Sequence, residues 1–302
     1  MGLRLFMTVK ETLDQLYPNL PNKKDTLVQR RLELLREYYK GLNNGNIPDY
    51  SDSITRYAYL YGYVAFHANV VCKLLERNSQ KFAQTFNKGE VNIACIGGGP
   101  GSDLLGILKH ISQSCQTDLL RIQIYDRQDL WKDVLKNLKL IYENESDFSN
   151  LGVKWGMRTL DVTNPTERER YPNLREADLF TFSFFLSELY PMDSIDAENF
   201  FKILFEQAKS GATFLFVDNV SSGVQIWFDN LIGEYNQTKR NQDHIEIIDQ
   251  PRNRQDKEEF CMDTSERLDH LSSHYGRYCD INGSPSCPRL KASVVFRICR
   301  KG

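Results

Sequence analysis

A cluster of glycines between an apolar run and a helical pattern is the part of this 302-residue sequence best suited to bind a small ligand. Residues 91–96 are apolar, four glycines fall within positions 97–101, and a helical pattern begins at Ser102. Glycines permit backbone conformations and close ligand approach that a Cβ atom would block. Ser102 is a natural N-cap, and the free amides at a helix start attract polar or anionic groups. The sequence therefore predicts a ligand site where the first strand ends.

The spacing of these glycines argues against a dinucleotide cofactor. A dinucleotide fingerprint requires G-x-G-x-x-G, or alanine in the third position. Counted from Gly97 and Gly99, the third position is Ser102, and counted from Gly99 and Gly101 it is Leu104. The fingerprint fails in both registers.

Carboxylates follow the next apolar runs at regular intervals. Asp126 ends the run 121–125, Asp161 ends the run 153–160, and Glu188 lies just beyond the run 177–185. A structural interpretation remains open for each, because aspartates commonly end strands and cap the helices that follow, and Glu188 can be a salt-bridged surface acid.

The ordered set resembles the class I methyltransferase family, whose first motif reads G-x-G-x-G after the first strand. The resemblance implies that Asp126 accepts hydrogen bonds from both ribose hydroxyls of S-adenosylmethionine and that Asp161 accepts one from its adenine amine. The family usually places an acid two residues before the first glycine, where this chain has Cys95. The residues expected to contact the cofactor, or its product S-adenosylhomocysteine, are Cys95, Gly97, Gly98, Gly99, Gly101, Asp103, Asp126, Arg127, Asp161, Val162 and Ser183.

Methyl transfer from a sulfonium is an in-line displacement, which requires positioning and a dry site rather than a covalent enzyme intermediate. Glu188 is the candidate catalytic base for an acceptor that must lose a proton. Tyr57 and Tyr61 share the apolar helix face, whereas Tyr59, Tyr63 and His67 recur at four-residue spacing on another face. The candidates on the acceptor side are Tyr59, Tyr63, His67, Ser187 and Tyr190.

The acceptor is less well determined than the cofactor. No Asn/Asp-Pro-Pro-Tyr run follows the fourth strand, as in amino-adenine methyltransferases, and no Pro-Cys or Thr-Cys element, as in cysteine-nucleophile cytosine enzymes. Residues 186–189 (Leu-Ser-Glu-Leu) and 95–99 (Cys-Ile-Gly-Gly-Gly) resemble fungal ribosomal-RNA uridine methyltransferases that act on a ring nitrogen. RNA is therefore ranked first, ahead of a protein or small molecule. A catalytically inactive methyltransferase-fold scaffold is the alternative of another class, with Cys95 as the sign of motif decay.

The periodicity predicts an α/β fold. Residues 1–89 read as a helical extension or lid, with Val28, Leu32 and Leu35 on one apolar helix face, and 90–302 as the methyltransferase core. The resemblance implies a seven-stranded, mostly parallel Rossmann-like sheet with helices on both faces. Residues 243–290 form an insertion or irregular region before the last strand, with a strand at 244–248, a loop at 250–259 and a helix at 264–275.

Composition limits the remaining alternatives. Net charge is −2, and residues 1–90 carry 13 Lys and Arg against 9 Asp and Glu, which leaves a modest N-terminal excess of positive charge. No signal peptide or membrane span is predicted, and seven cysteines without a disulfide framework favour the cytoplasm or nucleus. A zinc cluster of Cys261, His270, His274, Cys279 and Cys287 is disfavoured because no close-spaced cysteine pair supports it. Oligomeric state is left open.

Overall fold

The computed structural model describes residues 3–18, 25–40, 48–114, 117–127, 129–143, 151–164, 166, 172–190, 195–220, 223–239, 243–252, 256–266 and 288–302. Of the five residues of the disfavoured zinc cluster, only Cys261 falls within these ranges, and the predicted helix at 264–275 lies outside them beyond residue 266. Among the described residues no three potential metal ligands converge. No described helix combines the length and the apolar character needed to cross a bilayer.

An eight-stranded sheet forms the centre of the molecule. The first five strands run parallel in the order β3-β2-β1-β4-β5, and the last strand, β8, pairs antiparallel with β5. The strands are β1 (Glu90–Ile96), β2 (Leu119–Asp126), β3 (Gly152–Thr159), β4 (Leu179–Ser183), β5 (Thr213–Asn219), β6 (Ile245–Asp249), β7 (Glu258–Cys261) and β8 (Lys291–Lys301). The α/β class and the mostly parallel sheet are confirmed.

The expected count of seven strands is wrong by one, and the reason lies at the far edge of β8. Both β6 and β7 pair with that edge, β6 opposite residues 298–301 and β7 opposite residues 291–294. The two short strands thus lie end to end beside one long strand. Glu258 and Glu259 belong to β7, so the predicted loop at 250–259 ends earlier than expected.

Helices cover both faces of the sheet. From the N-terminus they are α1 (Leu5–Leu16), α2 (Asp25–Lys40), α3 (Ser53–Tyr59), α4 (Ala65–Arg77), α5 (Ser79–Phe86), α6 (Ser102–Ser114), α7 (Lys132–Glu143), α8 (Leu186–Leu189), α9 (Ile195–Gln207) and α10 (Val224–Gln237). One apolar cluster joins the N-terminal helices, α6 and α7 to one sheet face, and a phenylalanine-rich cluster joins α9 and α10 to the other.

The N-terminal helices pack directly on the sheet layer. Helix α4 crosses α6 so closely that a Cβ atom on Gly106 would lie 2.5 Å from the backbone oxygen of Ala68. Val28, Leu32 and Leu35 of α2 are buried in the same cluster. This packing places α3 and the turn that follows it above the carboxyl ends of the strands; the boundary at residues 89 and 90 stays a prediction.

A π-helical turn, Leu60–Val64, joins α3 to α4 and was not expected from the sequence. Such a turn inserts an extra residue into the helical ladder and is frequent at functional sites. The apolar stripe of residues 54–75 reads as one continuous helix because both flanking segments are helical. Across the turn, the rings of Tyr59, Tyr63 and His67 still pack against one another.

Candidate active site

A cavity opens at the carboxyl ends of β1, β2, β3 and β4. Its volume, counted together with the open solvent at its mouth, is about 930 Å³. The strand order places β1 between β2 and β4, so the chain crosses from one side of β1 to the other at this point. In open α/β sheets, ligands bind in the crevice at such a switch point. The predicted glycine turn lies in its wall.

The turn is shaped by glycines with positive φ. Gly97 has φ +67°, and a Cβ atom there would lie 2.2 Å from the ring of Phe185. The amides of Gly97 and Gly98 donate to the carbonyl of Tyr125 at 2.8 and 3.2 Å, which fixes the turn to β2. Only glycine satisfies both the backbone conformation and the close approach at position 97.

Asp126, at the end of β2, is half-buried in the cavity wall. The amide of Gly99 donates to its Oδ2 atom at 3.0 Å. Asp126 therefore both holds the glycine turn and faces the cavity, as expected of a carboxylate that accepts hydrogen bonds from a bound sugar.

Asp161, beyond the end of β3, combines the two interpretations that the sequence left open. Its Oδ1 atom accepts from the backbone amide of Thr163 at 2.9 Å and from the Thr163 hydroxyl at 2.6 Å. This is a local turn of the kind that aspartates commonly form. The residue nevertheless lines the cavity between Leu160 and Val162, so the turn orients a carboxylate at the edge of the site.

Asp103, in the first turn of α6, is the most deeply buried acid of the cavity, with 1% of its surface exposed. The Thr181 hydroxyl donates to its Oδ2 atom. Burial raises the pKa of Asp103 to about 6, against the opposing effects of the Thr181 and Ser183 hydroxyls. Ser183 lowers this pKa by proximity, although its own oxygen has no partner in hydrogen-bond geometry among the described residues.

Glu188 lies in α8, just after β4, and lines the same cavity. Its pKa is raised to about 8, first by burial and then by the negative charges of Asp126 and Asp218, with Arg127 acting in the opposite sense. The Ser187 amide donates to Asp218 Oδ2 at 2.8 Å, which ties this short helix to the end of β5. A protonated carboxylic acid at neutral pH is the consequence.

An aromatic roof, defined as Tyr50, Tyr59 and Trp131, closes the cavity from the N-terminal side. The ring centroids of Tyr50 and Tyr59 are 5.3 Å apart, and Trp131 lies 5.3 and 5.8 Å from them. The Asp52 carboxylate caps α3 by accepting from the amides of residues 54 and 55, and Arg56 donates to the Tyr50 carbonyl at 2.6 Å. These contacts hold the roof in place.

The roof tyrosines are neutral. Burial raises the pKa of Tyr50 and of Tyr59, and the negative charge of Glu188 raises both further. That coupling places Glu188 close to the roof across the cavity. A phenol and a carboxyl group held together in this way can bind a planar, hydrogen-bonding ring.

Phe184, at the end of β4, has φ +56°, which is uncommon for a bulky residue and marks functional or strained sites. Its ring stacks on His67 with centroids 3.5 Å apart and planes 8° from parallel. Burial lowers the pKa of His67 well below its usual value, so the imidazole is neutral. The stack supports the segment that carries Phe185 and Glu188 from behind.

Most of the predicted residues meet at this cavity. Its lining includes Tyr59, Gly97, Gly98, Gly99, Asp103, Asp126, Arg127, Asp161, Val162, Ser183 and Glu188. The roles of these residues stay predictions. The fold brings them together from the ends of four strands and from the N-terminal helices.

The structure places six other candidates outside the cavity lining. Cys95 is fully buried in the core, and a Cβ atom on Gly101 would lie 2.8 Å from Leu135 of α7. Tyr63 stacks beneath Tyr59, and His67 lies behind Phe184. Ser187 is buried beside Asp218, and Tyr190 packs on Trp227.

Sequence reasoning missed part of the lining. Tyr50 lies in a segment, residues 41–52, that is rich in Asn, Gly, Pro and Asp and has the composition of a connecting loop, and Trp131 lies at the start of a helical pattern at 130–142. Trp131 lies only five residues after the carboxylate that ends β2, and this short distance along the chain was the signal that could have placed it at the site. The lining residues that were not singled out from the sequence are Tyr50, Pro100, Trp131, Leu160, Thr163, Phe184 and Phe185.

The charge of the cavity distinguishes among ligands. Its acidic and basic side chains are four carboxyl groups, on Asp103, Asp126, Asp161 and Glu188, and one guanidinium, on Arg127. Even while Glu188 is protonated, the other carboxylates outnumber the guanidinium, so the wall opposes the pyrophosphate of a dinucleotide and favours a ligand that carries positive charge. S-adenosylmethionine, with a sulfonium and an ammonium group, fits this set of carboxyl groups. The Ser183 hydroxyl, which has no partner in hydrogen-bond geometry among the described residues, is a further polar group in the wall.

Comparison with known proteins agrees with this chemistry. A family model described as "Putative SAM-dependent methyltransferase" matches residues 54–240. No curated protein matches the chain.

Solved structures of low sequence identity are similar to the chain. The CurJ carbon methyltransferase is 16% identical, with 96% of this chain and 70% of that chain covered and a TM-score of 0.41. An O-methyltransferase family protein from Burkholderia thailandensis is 11% identical, with coverage of 73% and 67% and a TM-score of 0.44. The YcgJ protein from Bacillus subtilis is 13% identical, with coverage of 78% and 98% and a TM-score of 0.37.

The matched residues 54–240 run from α3 to the end of α10 and include the glycine turn, the carboxylates and two of the three roof residues. This chain therefore belongs to that family of S-adenosylmethionine-dependent methyltransferases.

Proposed function

We propose that the protein transfers a methyl group from S-adenosylmethionine to a ring nitrogen of an RNA base. The observation that carries the proposal is the pairing of a protonated carboxyl group, Glu188, with the neutral aromatic roof in the cavity that contains the glycine turn. That arrangement suits a flat, uncharged acceptor that both stacks and forms hydrogen bonds.

The bound cofactor would supply an electrophilic methyl group, and the residues of the chain would do the remaining work. Tyr50 and Tyr59 stack on the acceptor ring and exclude water from the transfer site. Glu188 donates a hydrogen bond to a ring carbonyl while it is protonated, and it accepts the ring N–H proton once it is ionised. Since its pKa is about 8, the ionised fraction grows through the neutral and mildly alkaline range.

Positive charge near the cavity mouth supports RNA as the acceptor class. Arg127 is exposed at the mouth, and Lys136 lies on the exposed side of α7 between Lys132 and Lys139, which are paired with Asp129 and Glu143. Residues 1–90, which include the roof residues Tyr50 and Tyr59, carry an excess of four positive charges. Basic side chains beside an acidic pocket can hold phosphates while a base enters the cavity.

The acceptor class is tested by transfer of tritium from methyl-labelled S-adenosylmethionine to separated RNA, protein and small-molecule fractions of a cell extract. The proposal expects label in RNA, lost after ribonuclease treatment and absent with Glu188→Gln. Label in protein or in small molecules would show that the acceptor is not RNA but belongs to the labelled class. Cofactor binding without label in any fraction would favour a scaffold that has lost catalysis.

A cytoplasmic or nuclear location is part of the same proposal. It is supported by the described cysteines Cys72, Cys95, Cys261 and Cys299, which are all free thiols. Reduced thiols are typical of these compartments.

A further inference from the structure

The acid that the family usually carries at the end of β1 is replaced here by Cys95, and this position gains no charge from its thiol. Cys95 is fully buried, and burial raises its pKa well above the ordinary value, with the nearby Asp103 carboxylate raising it further. The site therefore needs another carboxylate if a cation is to bind at this end.

Asp103, on the neighbouring helix α6, lies above the end of β1 where Cys95 is located. Cys95 on β1 and Thr181 on β4 are direct partners in the parallel ladder, and the Thr181 hydroxyl donates to Asp103 Oδ2. The carboxylate is thus held above the junction of β1 and β4. Its position on α6 allows it to line the cavity, whereas the Cys95 side chain is enclosed by the core.

Among the described residues, Asp103 also has no cationic partner. The groups that act on its pKa are the hydroxyls of Thr181 and Ser183 and its own backbone, and none of them carries positive charge. Buried carboxylates are normally paired with a cation, because an isolated one is costly to ionise. A positively charged part of a ligand would supply the missing partner.

The order of the carboxylates across the sheet indicates which positively charged group of the ligand lies at Asp103. Along the strand order, Asp161 follows β3, Asp126 ends β2, and Asp103 lies above β1 and β4. S-adenosylmethionine carries its adenine amine, its ribose hydroxyls and its amino-acid ammonium in the same order along its length. Neighbouring strands are about 4.8 Å apart, so the acids are spaced on the scale of an extended small molecule.

We propose that Asp103 binds the α-ammonium group of S-adenosylmethionine, as a carboxylate transferred from the end of β1 to the first turn of α6. The Thr181 hydroxyl holds Oδ2, and Oδ1 receives the ammonium. The inference rests on the assignment of the cavity as the cofactor site, and it adds a role for one residue within it.

The test is calorimetric titration of wild type and Asp103→Asn with three ligands. S-adenosylmethionine has the ammonium and the sulfonium, S-adenosylhomocysteine keeps only the ammonium, and 5′-methylthioadenosine has neither but retains adenine, ribose and sulfur. We expect Asp103→Asn to weaken the first two by about 10- to 100-fold, as for loss of a charged hydrogen bond, and to change the third by less than about 3-fold.

A further variant separates the loss of this charge from a general change of surface charge. Asp129→Asn removes an exposed acid that is paired with Lys132 on the protein surface, and it should leave all three affinities unchanged. Binding of 5′-methylthioadenosine by Asp103→Asn shows that the variant is folded.

The outcomes are distinct. Equal weakening of all three ligands, or no weakening of any, overturns the assignment of the ammonium to Asp103. Weakening of S-adenosylmethionine alone also overturns it, because that result would place the sulfonium at Asp103. If wild type binds none of the ligands, the cofactor assignment itself fails.

Discussion

The two ends of the cavity are built in different ways. The end that the proposed function assigns to the cofactor, here called the cofactor end, consists of the glycine turn, Asp126 and Asp161, which lie at or just beyond the ends of parallel strands. The end that it assigns to the acceptor, here called the acceptor end, consists of the aromatic roof and Glu188, which come from the N-terminal helices, the segment after β2 and the short helix after β4.

The difference shows how each end acquires its chemistry. At the cofactor end, strand order alone brings the groups together, because the carboxyl ends of parallel strands meet at one edge. At the acceptor end, close packing of separate segments places the groups, as in the crossing of α4 over α6 and the stack of His67 on Phe184. Changes at the two ends should therefore have separable effects on catalysis, cofactor binding and stability.

The largest expected effect belongs to the acceptor end. Glu188→Gln should lower kcat by about 10²- to 10⁴-fold, the usual contribution of a general base. Wild-type kcat should rise with pH and level off above about 8, because Glu188 must be ionised to accept a proton. The variant should lose that rise and keep its affinity for S-adenosylhomocysteine.

The same substitution has a consequence for stability with a defined sign. An acid whose pKa is raised on folding stabilises the protein fully below its unfolded pKa, near 4.5, and this contribution is lost as pH rises to about 8. Glu188→Gln should therefore raise the melting temperature relative to wild type more at pH 8 than at pH 5. A pH-independent difference would show that the environment of Glu188 is not the one described.

The next largest effect belongs to the glycine turn. Gly97→Ala should destabilise the fold by about 2–4 kcal/mol and abolish measurable cofactor binding, because it combines an unfavourable φ with a clash against Phe185. Gly211→Ala is the matched control, since Gly211 has φ +77° and no heavy atom within 4 Å of the added Cβ. Equal loss of stability in both variants, measured by denaturant unfolding, would show that the contact with Phe185 does not contribute to the effect.

A smaller effect at Asp161 separates its two interpretations. Asp161→Asn keeps an oxygen for the Thr163 turn but replaces an acceptor with an amide donor, and we expect it to weaken S-adenosylhomocysteine by about 1–2 kcal/mol. S-inosylhomocysteine presents a carbonyl where adenine has its amine, so the variant should bind it better than wild type does. An equal loss of affinity for both ligands would show that Asp161 only forms the Thr163 turn and does not contact the adenine amine.

The smallest expected effect is at the stack behind Phe184. His67→Leu should lower the free energy of unfolding by about 1 kcal/mol through loss of the ring contact, whereas His67→Phe should stay within about 0.5 kcal/mol of wild type. Because the pKa of His67 is lowered on folding, wild type loses stability as pH falls below about 6.5. His67→Leu should be less sensitive to acid, and an equal acid response in urea unfolding would contradict this.

The sequence predicted which groups meet at the ends of β1 and β2, and the reason is physical. The strand, the glycine turn and α6 are contiguous in residues 90–114, so local patterns determine their order and approximate bounds. Asp126 follows by the same logic, because a parallel strand returns its carboxyl end to the same edge.

The acceptor end was harder to predict because its contacts are tertiary. Tyr59 was expected at the site and lines the cavity, whereas Tyr63 and His67, four and eight residues on, do not. Both of their rings are buried and pack against the ring of Tyr59. Tyr50 and Trp131 meet only when the N-terminal helices pack on α6 and α7. Strand β7 was missed because its partner, the edge of β8, lies about 30 residues further along the chain.

The central claim, that the cavity at the glycine turn binds S-adenosylmethionine, is tested most directly by calorimetric titration of that ligand into wild type and Asp126→Ala. The account predicts one site of micromolar-range affinity, weakened by about 1–3 kcal/mol in the variant, which loses a charged acceptor. Absence of binding to folded wild type, or equal affinity in both proteins, would contradict it.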